Sequence, residues 1–181
     1  MPHYRKYGKQ WEPITPEQFL EKMGSYQFPK SKRGPIQQAF ITLLYYTGAR
    51  LQEALNLSPI SITVKGDMMF VELGKRLKGG LKTQPLPIPT DKPYVYTIVA
   101  LKKKRRNLER LFPFSHKTGY NIVSRVLDTY PHHLRLSRIT NMLNEGYTII
   151  QVKNWTGHAG LTSLDAYVGI VDIQQMGKSL R

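Results

Sequence analysis

Glycine residues divide the last third of this sequence into short helical stretches. A periodic stretch over residues 132–144 is followed by Gly146, and a second one over residues 148–155 is followed by Gly157. Glycine just after a periodic stretch is typical of a left-handed helix end, and Thr162 then offers a new helix start. This part of the chain is therefore predicted to fold as a succession of short helices.

Helices are also predicted in the first third. The sequence TPEQ beginning at Thr15 supplies an N-cap, a proline at the first helical position and a capping glutamine. Phe19, Leu20 and Met23 are predicted to form the buried face of this helix. A break is predicted at residues 31–35.

A corner is predicted after the second apolar stripe, which runs over residues 36–44. Gly48 is expected to end that helix as a left-handed cap, and a short helix containing Leu51 and Leu55 follows directly. Arg50 therefore lies at a helix start and projects from the corner.

The middle of the chain predicts a hairpin and two longer helices. Residues 68–73 and 81–88 are predicted strands on either side of a Gly79-Gly80 turn. Residues 94–111 and a stretch ending near Tyr130 are predicted helices. The fold class is therefore mainly α with a small antiparallel β-hairpin or sheet.

The charge of the chain favours a polyanionic partner. The 181 residues include 27 lysines and arginines against 12 aspartates and glutamates, a net charge of +15. Such an excess is typical of nucleic-acid binding. A solubilising surface or a ribosome-associated protein has the same composition, so motifs must decide.

Other chemistries find little support in the sequence. There is no cysteine, which excludes disulfides and thiolate zinc sites. No acidic triad or His-x-x-x-His motif indicates a metal site, and no cofactor is expected. The chain has no apolar run of membrane-spanning length and no signal-peptide pattern at its start. An intracellular, cytoplasmic protein without a membrane partner is predicted.

His132 and Arg135 are the strongest local motif. They are three residues apart, so on a helix they share a face and can contact one phosphate together. A solvated basic helix start explains the pair equally well when it is taken alone. His133 is the neighbouring alternative, but its side chain leaves the helix in another direction, and His132 is therefore preferred.

His158 and Tyr167 form a second, weaker motif. In a continuous helix they would be about 13.5 Å apart along the axis, so a break at Gly160 is needed to bring them together. Taken alone, Tyr167 is better explained as a core or interface residue, because the chain has 11 tyrosines.

These motifs together resemble the tyrosine recombinase, or phage integrase, family. The sequence TGARLQE beginning at Thr47, the sequence PHHLR beginning at Pro131, then Gly157-His158 and Tyr167 follow in the family's order and spacing. The resemblance spans nearly the whole chain. It implies a tyrosine recombinase catalytic domain over residues 15–181, with residues 1–14 as a tail or linker stub.

The resemblance also implies a catalytic set. The phosphate would be bound by Arg50 and Arg135, two guanidiniums that stay charged and offer paired donors. His132 would accept a proton, His158 would hydrogen-bond the phosphate, and Tyr167 would be the nucleophile.

A hairpin lysine would protonate the leaving 5′ oxygen. Lys75 fits the count from Arg50, whereas Lys78 lies beside the glycine turn and keeps a better distance to Leu86; Lys78 is preferred. Glu53 matches the acid that orients the first arginine. Leu136 departs from the family, since many members have a histidine there.

The implied activity is site-specific cleavage and rejoining of double-stranded DNA through a covalent 3′-phosphotyrosyl intermediate, without metal or ATP. The protein would be an integrase of a mobile element, plasmid or virus in a prokaryotic cell, monomeric when free and tetrameric on DNA. Alternatives are a type IB topoisomerase-like enzyme and a non-catalytic DNA-binding protein of the same fold. Further DNA contacts are predicted at Lys82, Lys102, Lys103, Lys104, Arg105 and Arg106.

Overall fold

The computed structural model of the chain describes residues 12–74 and 84–157. In these residues the helices are α1 (Pro16–Ser25), α2 (Arg33–Thr47), α3 (Leu51–Leu55), α4 (Val95–Lys104), α5 (His116–Leu127), α6 (Pro131–Asn144) and α7 (Ile149–Thr156). The strands are β1 (Ile62–Lys65), β2 (Met68–Val71) and β3 (Leu86–Pro89). Helix α2 is central and contacts α3, α4, α5 and α6. The predicted fold class is confirmed.

Helix α1 begins as its sequence predicts. The side chain of Thr15 accepts a hydrogen bond from the Gln18 amide, and the Gln18 side chain accepts one from the Thr15 amide. Phe19 is buried and its ring stacks on Tyr45 with 3.9 Å between ring centroids. Leu20 was expected in this buried face, but it is 40% exposed. That expectation was wrong. Only Phe19 and Met23, which are one helical turn apart, are buried in α1, so the buried face is narrower than the three apolar residues indicated.

Helix α2 is almost completely buried along its length, with Phe40, Leu43 and Leu44 in the core. It begins at Arg33. The predicted break at residues 31–35 was therefore wrong for residues 33–35, which are helical. Pro35 is tolerated there because the first turn of a helix has no internal partner for its amides. Gly48 ends α2 with a φ of 61°, as predicted.

The sheet has the order β1-β2-β3 and is antiparallel throughout, with Val71 opposite both Ile62 and Leu86. The predicted pairing of β2 with β3 is confirmed, and the Gly79-Gly80 turn lies outside the described residues. Strand β1 was not predicted. Its four residues do alternate apolar and polar side chains, which is a strand signal, but in the structure the residues after Ile62 are exposed.

Helix α4 is shorter than predicted. It ends at Lys104, and Arg105 has extended backbone angles. The chain then returns towards the start of the sheet, where the Leu111 amide donates to the Leu57 carbonyl at 2.8 Å. Leu111 and Phe112 become fully buried. The helix stops because the chain must change direction to bury these two residues, and the turn that follows is closed by a hydrogen bond from the Glu109 amide to the Arg106 carbonyl at 3.0 Å.

Helices α5, α6 and α7 follow the predicted order, and Gly157 ends α7 with a φ of 67°. The helix predicted at Thr162 lies outside the described residues. Within those residues, no helix is both long enough and apolar enough to cross a membrane. Residues 12–14 lie against α6, with Ile14 in the core; the domain boundary at residue 15 stays a prediction.

Candidate active site

Arg50 lies at the corner between α2 and α3. It occupies the N-cap position of α3 with extended backbone angles, directly after the glycine and alanine that turn the chain. Its Nη1 atom is 2.7 Å from Oε1 of Glu53, whose Oε2 accepts the Arg50 amide at 2.8 Å. The Arg50 side chain is 47% exposed. One carboxylate therefore fixes both the backbone and the guanidinium of this residue.

Arg135 lies inside the molecule, on the first turns of α6. It is 2% exposed. Its guanidinium donates to the Gly48 carbonyl at 2.8 Å and to the Thr156 carbonyl at 2.7 Å. These carbonyls stand at the carboxyl-terminal ends of α2 and α7. Arg135 thus ties three helices together at the corner that carries Arg50.

One pocket joins these residues. A cavity of about 330 Å³ is lined by Arg50 from the corner, by His132 and Arg135 from α6, and by Tyr130 just before that helix. The hydrogen bond between Arg135 and Gly48 joins residues that are 87 positions apart in the sequence. Residues from distant motifs of the sequence therefore converge on a single cavity.

His132 and His133 have different surroundings. His132 is exposed and lines the cavity. His133 turns away: its Nε2 donates to the Glu12 carbonyl at 2.8 Å, and its Nδ1 lies beside the Thr129 hydroxyl. Burial lowers the pKa of His133, although the bond to Glu12 acts in the opposite direction. The geometry thus places His132, rather than His133, at the cavity.

Two further side chains line the cavity and were missed from the sequence. His116 is the first residue of α5, after the Ser115 N-cap, and Tyr120 follows one turn later. Both are exposed. Their four-residue spacing places them on one helix face, but nothing in the sequence relates that face to Arg50.

Trp155 reinforces the junction around Arg135. Its indole nitrogen donates to the Thr47 carbonyl at 3.0 Å, and the Arg138 guanidinium lies 5.1 Å from the centre of its ring. Arg138 also packs against Gly48, where a Cβ atom would come within 3.2 Å of the Arg138 Cβ. The ends of α2 and α7 are thus joined directly as well as through Arg135.

Comparison with known proteins indicates the same family as the sequence motifs. No family model matches the chain. A tyrosine recombinase of Thermosipho africanus is 27% identical over 175 residues, covering 88% of this chain and 57% of that protein. The tyrosine recombinase XerA of Pyrococcus furiosus is 30% identical over 148 residues, covering 72% of this chain and 49% of that protein. The chain belongs to the tyrosine recombinase family.

A solved structure shows the same fold. The XerH site-specific recombinase bound to palindromic difH substrate, a post-cleavage complex, has a TM-score of 0.69 with 20% sequence identity. The match covers 90% of this chain and 50% of the XerH chain. The chain spans about half the length of the tyrosine recombinases that it matches.

The remaining predicted catalytic residues of this chain lie outside the described residues. They are Lys75, Lys78, His158 and Tyr167, and the predicted DNA contact Lys82 lies there too. Gly157, which ends α7, immediately precedes His158. The Thr156 carbonyl accepts a hydrogen bond from Arg135. The described residues therefore end, at Gly157, close to the junction that carries Arg50.

Two tyrosines of the described chain are poorly suited to act as nucleophiles. Burial is the main cause that raises the pKa of Tyr46 to about 12, and it raises that of Tyr45 further. A phenol acts as a nucleophile through its ionised form, which this environment disfavours. Both belong to the core around α2 rather than to the cavity at Arg50.

A second and larger cavity of the described chain is separate from the one at Arg50. It has a volume of about 560 Å³ and is mainly apolar and aromatic, with Tyr46, Tyr147 and Trp155 among its walls. Arg138 and Glu145, which form an ion pair at 3.5 Å, supply charge at one side. We refer to this cavity as the aromatic groove. Arg50, His132 and Arg135, the predicted catalytic residues that the structure describes, are not among its walls.

The basic run after α4 is on the surface. Lys103, Lys104 and Arg106 are exposed, and Lys102 and Arg105 are partly exposed. Glu109 lies 3.9 Å from Arg105 and 4.0 Å from Arg106, so it offsets only part of this charge. Among the described residues, no three histidine, aspartate or glutamate side chains are grouped as a metal site.

Proposed function

We propose that this chain is the catalytic part of a site-specific recombinase that cleaves and rejoins double-stranded DNA through a 3′-phosphotyrosyl intermediate. The observation that carries the proposal is the convergence of Arg50, His132 and Arg135 on one cavity. The XerH relative supports DNA as the partner, since its structure contains a DNA substrate.

The two arginines suit the charge that develops during phosphoryl transfer. The pentavalent transition state carries more charge on its non-bridging oxygens than the diester does. Preorganised donors that meet this charge lower the barrier without reorganising during the reaction. Arg50, fixed by Glu53, and Arg135, fixed by two carbonyls, are preorganised in this sense.

The proposed chemical step forms a bond between the Tyr167 oxygen and phosphorus and breaks the bond to the 5′ oxygen. His132 accepts the phenol proton, and a hairpin lysine, preferably Lys78, donates a proton to the leaving oxygen. His158 binds the phosphate. Rejoining is the reverse attack by the 5′ hydroxyl, so the bond energy is conserved without ATP.

A nicked suicide substrate tests the proposal. Loss of the short fragment prevents rejoining, so the protein should accumulate as a covalent DNA adduct on a denaturing gel. Tyr167→Phe should abolish the adduct and leave DNA affinity nearly unchanged. Tyr120→Phe is the matched control, because Tyr120 is an exposed tyrosine at the same cavity. Adduct in Tyr167→Phe, or its loss only in Tyr120→Phe, would refute the assignment.

The general acid can be identified with a modified leaving group. A 5′-bridging phosphorothiolate leaves without protonation, so Lys78→Ala should be slow on ordinary DNA and rescued on this substrate. Lys75→Ala should be active on both. The opposite pattern would assign the proton transfer to Lys75.

The recombinase and topoisomerase readings differ in their products. Adduct formation with strand exchange between two attachment sites supports a recombinase, and an integrase requires two different sites. Relaxation of supercoils without exchange supports the type IB topoisomerase-like alternative. DNA binding without any adduct supports a non-catalytic protein of this fold.

The surface run at residues 102–106, together with Lys82, is proposed to contact the DNA backbone. The affinity for DNA should fall as the salt concentration rises. A plot of the logarithm of the binding constant against the logarithm of the salt concentration should have a slope of about −0.9 per phosphate contact. Lys103→Glu combined with Lys104→Glu should reduce the steepness of that slope and leave the adduct rate at saturation unchanged. An unchanged slope would place these lysines away from the DNA.

The aromatic groove is proposed to take part in assembly. The sequence after Tyr167 contains Ile170, Val171, Ile173 and Met176, an apolar set that such a groove can bury. The free protein is expected to be monomeric, and subunits would exchange these tails in a tetramer on DNA. Deletion of residues 169–181 should preserve binding by one subunit and abolish strand exchange; full recombination by the deletion variant would contradict this.

A further inference from the structure

A polar stripe on α6 binds the backbone of the segment that leads into the domain, residues 12–14. His133, Ser137 and Asn141 form this stripe, which we call the α6 stripe. His133 donates to the Glu12 carbonyl at 2.8 Å, Ser137 accepts the Ile14 amide at 3.0 Å, and Asn141 donates to the Ile14 carbonyl at 2.9 Å. Three side chains at four-residue spacing therefore bind three backbone groups of one short segment.

These contacts specify one register. Ile14 is buried, and a buried amide or carbonyl without a partner is costly. Ser137 and Asn141 are buried as well. A shift by one residue would place Pro13, which has no amide hydrogen, opposite Ser137. The leading segment can therefore dock on α6 in only one way without losing a hydrogen bond.

The same helix carries residues of the candidate active site. At about 100° per residue, Arg135 lies about 160° around the helix from Ser137. Arg135 is bonded to the ends of α2 and α7 on its side, and the leading segment is bonded to the α6 stripe on the other. Opposite faces of α6 are thus fixed, and His132 lies between them in the first turn.

We propose that His133, Ser137 and Asn141 are positioning residues, which set the orientation of α6 so that His132 and Arg135 meet the DNA phosphate correctly. This inference rests on the proposed function. It also makes residues 12–14 a mechanical connection between the preceding chain and the helix that bears the catalytic pair. A displacement of about 1 Å at the reacting atoms can cost roughly a hundredfold in rate.

Matched variants on α6 test the proposal. Asn141→Leu removes the donor to Ile14 and keeps the branched shape of the side chain. Thr140→Val is the control, since Thr140 is the buried neighbour on the same helix and its hydroxyl has no hydrogen-bond partner among the described residues. His133→Leu removes the donor to Glu12, and His133→Gln restores an N–H at a similar reach.

In Asn141→Leu and His133→Leu, the adduct rate on saturating nicked DNA should fall tenfold to about a hundredfold, while the dissociation constant for DNA stays within about twofold. Thr140→Val and His133→Gln should remain close to the wild type. Faster amide exchange at Ile14 in Asn141→Leu with an unchanged adduct rate would overturn the proposal, because the segment would then be only an anchor. An equal loss of rate in Thr140→Val would also overturn it.

A second readout separates this proposal from the proposed function. If the wild-type protein forms no adduct, the proposed function fails, and NMR of the His132 ring and the Arg135 guanidinium still tests the positioning. Both sets of resonances should shift in Asn141→Leu and remain in place in Thr140→Val. Unshifted resonances, with Ile14 exchanging faster, would refute the positioning role.

Discussion

Arg50 and Arg135 approach the same cavity from two regions with opposite properties. Arg50 stands at an exposed corner, where a single carboxylate on the next helical turn orients it. Arg135 is buried in α6 and is held by the carbonyls that end α2 and α7. The family resemblance implies phosphate binding for both residues, whereas in the described structure Arg135 also connects three helices.

This difference shows that a site residue can also be a structural one. An exposed ion pair contributes little to stability, because its charges are screened by water. Hydrogen bonds from a buried charged donor contribute more. The two arginines should therefore respond alike in cleavage assays and differently in unfolding experiments.

Replacement of Arg135 by alanine should have the largest combined effect. It removes two hydrogen bonds from a charged donor, each worth about 1.5–3 kcal/mol of unfolding free energy, and a phosphate ligand worth roughly 10² to 10³ in cleavage rate. Urea denaturation and adduct formation measure the two losses. Arg135→Lys keeps the charge but cannot bridge both carbonyls in the same way, so it should recover part of the stability at most. If the free energy of unfolding were unchanged in Arg135→Ala, Arg135 would contribute no more to stability than Arg50 does.

Replacement of Arg50 by alanine should affect the reaction alone. The cleavage rate should fall by roughly 10² to 10³, while the free energy of unfolding changes by less than about 1 kcal/mol. Arg110→Ala, at an exposed arginine outside the cavity, should change neither quantity. A wild-type rate in Arg50→Ala would place this residue outside the active site.

Gly48→Ala tests how tightly the corner is fixed against α6. The left-handed backbone costs an alanine about 1–2 kcal/mol, and its Cβ would approach Arg138 to 3.2 Å. Gly66→Ala is the control, because Gly66 has a φ of 56° but, among the residues that the structure describes, no atom lies within 4 Å of the added Cβ. The melting temperature should fall more in Gly48→Ala, and only that variant should slow cleavage. Equal effects would mean that the corner can move freely.

The smallest expected effect is a pH dependence from His133. Burial lowers its pKa below the ordinary value of 6.5, so the folded protein favours the neutral ring. Below pH 6.5 the unfolded chain binds the proton more readily, and the stabilisation present at higher pH is lost progressively. The melting temperature of the wild type should therefore fall below this pH more steeply than that of His133→Gln. Parallel pH profiles would show that His133 does not contribute.

Local chemistry made several helix ends predictable, although not the start of α2 or the end of α4. Thr15, Gly48 and Gly157 each act through their own backbone or side chain within one helical turn. The pairing of β2 with β3 was predictable for a similar reason, since two apolar stretches flank the Gly79-Gly80 pair in the sequence. The proximity of Arg50 to His132 could be expected only through resemblance to a family, because no local rule relates positions so far apart.

By itself, the sequence determined which segments are helical, where the chain turns, and which residue types are present for phosphate chemistry. Only the tertiary structure decided that α4 stops at Lys104, that His116 and Tyr120 border the cavity, and that Arg135 is bonded to two distant carbonyls. The physical reason is the range of the interactions. Helix caps and turns depend on neighbouring residues, whereas burial and the satisfaction of buried carbonyls depend on which segments meet when the whole chain packs.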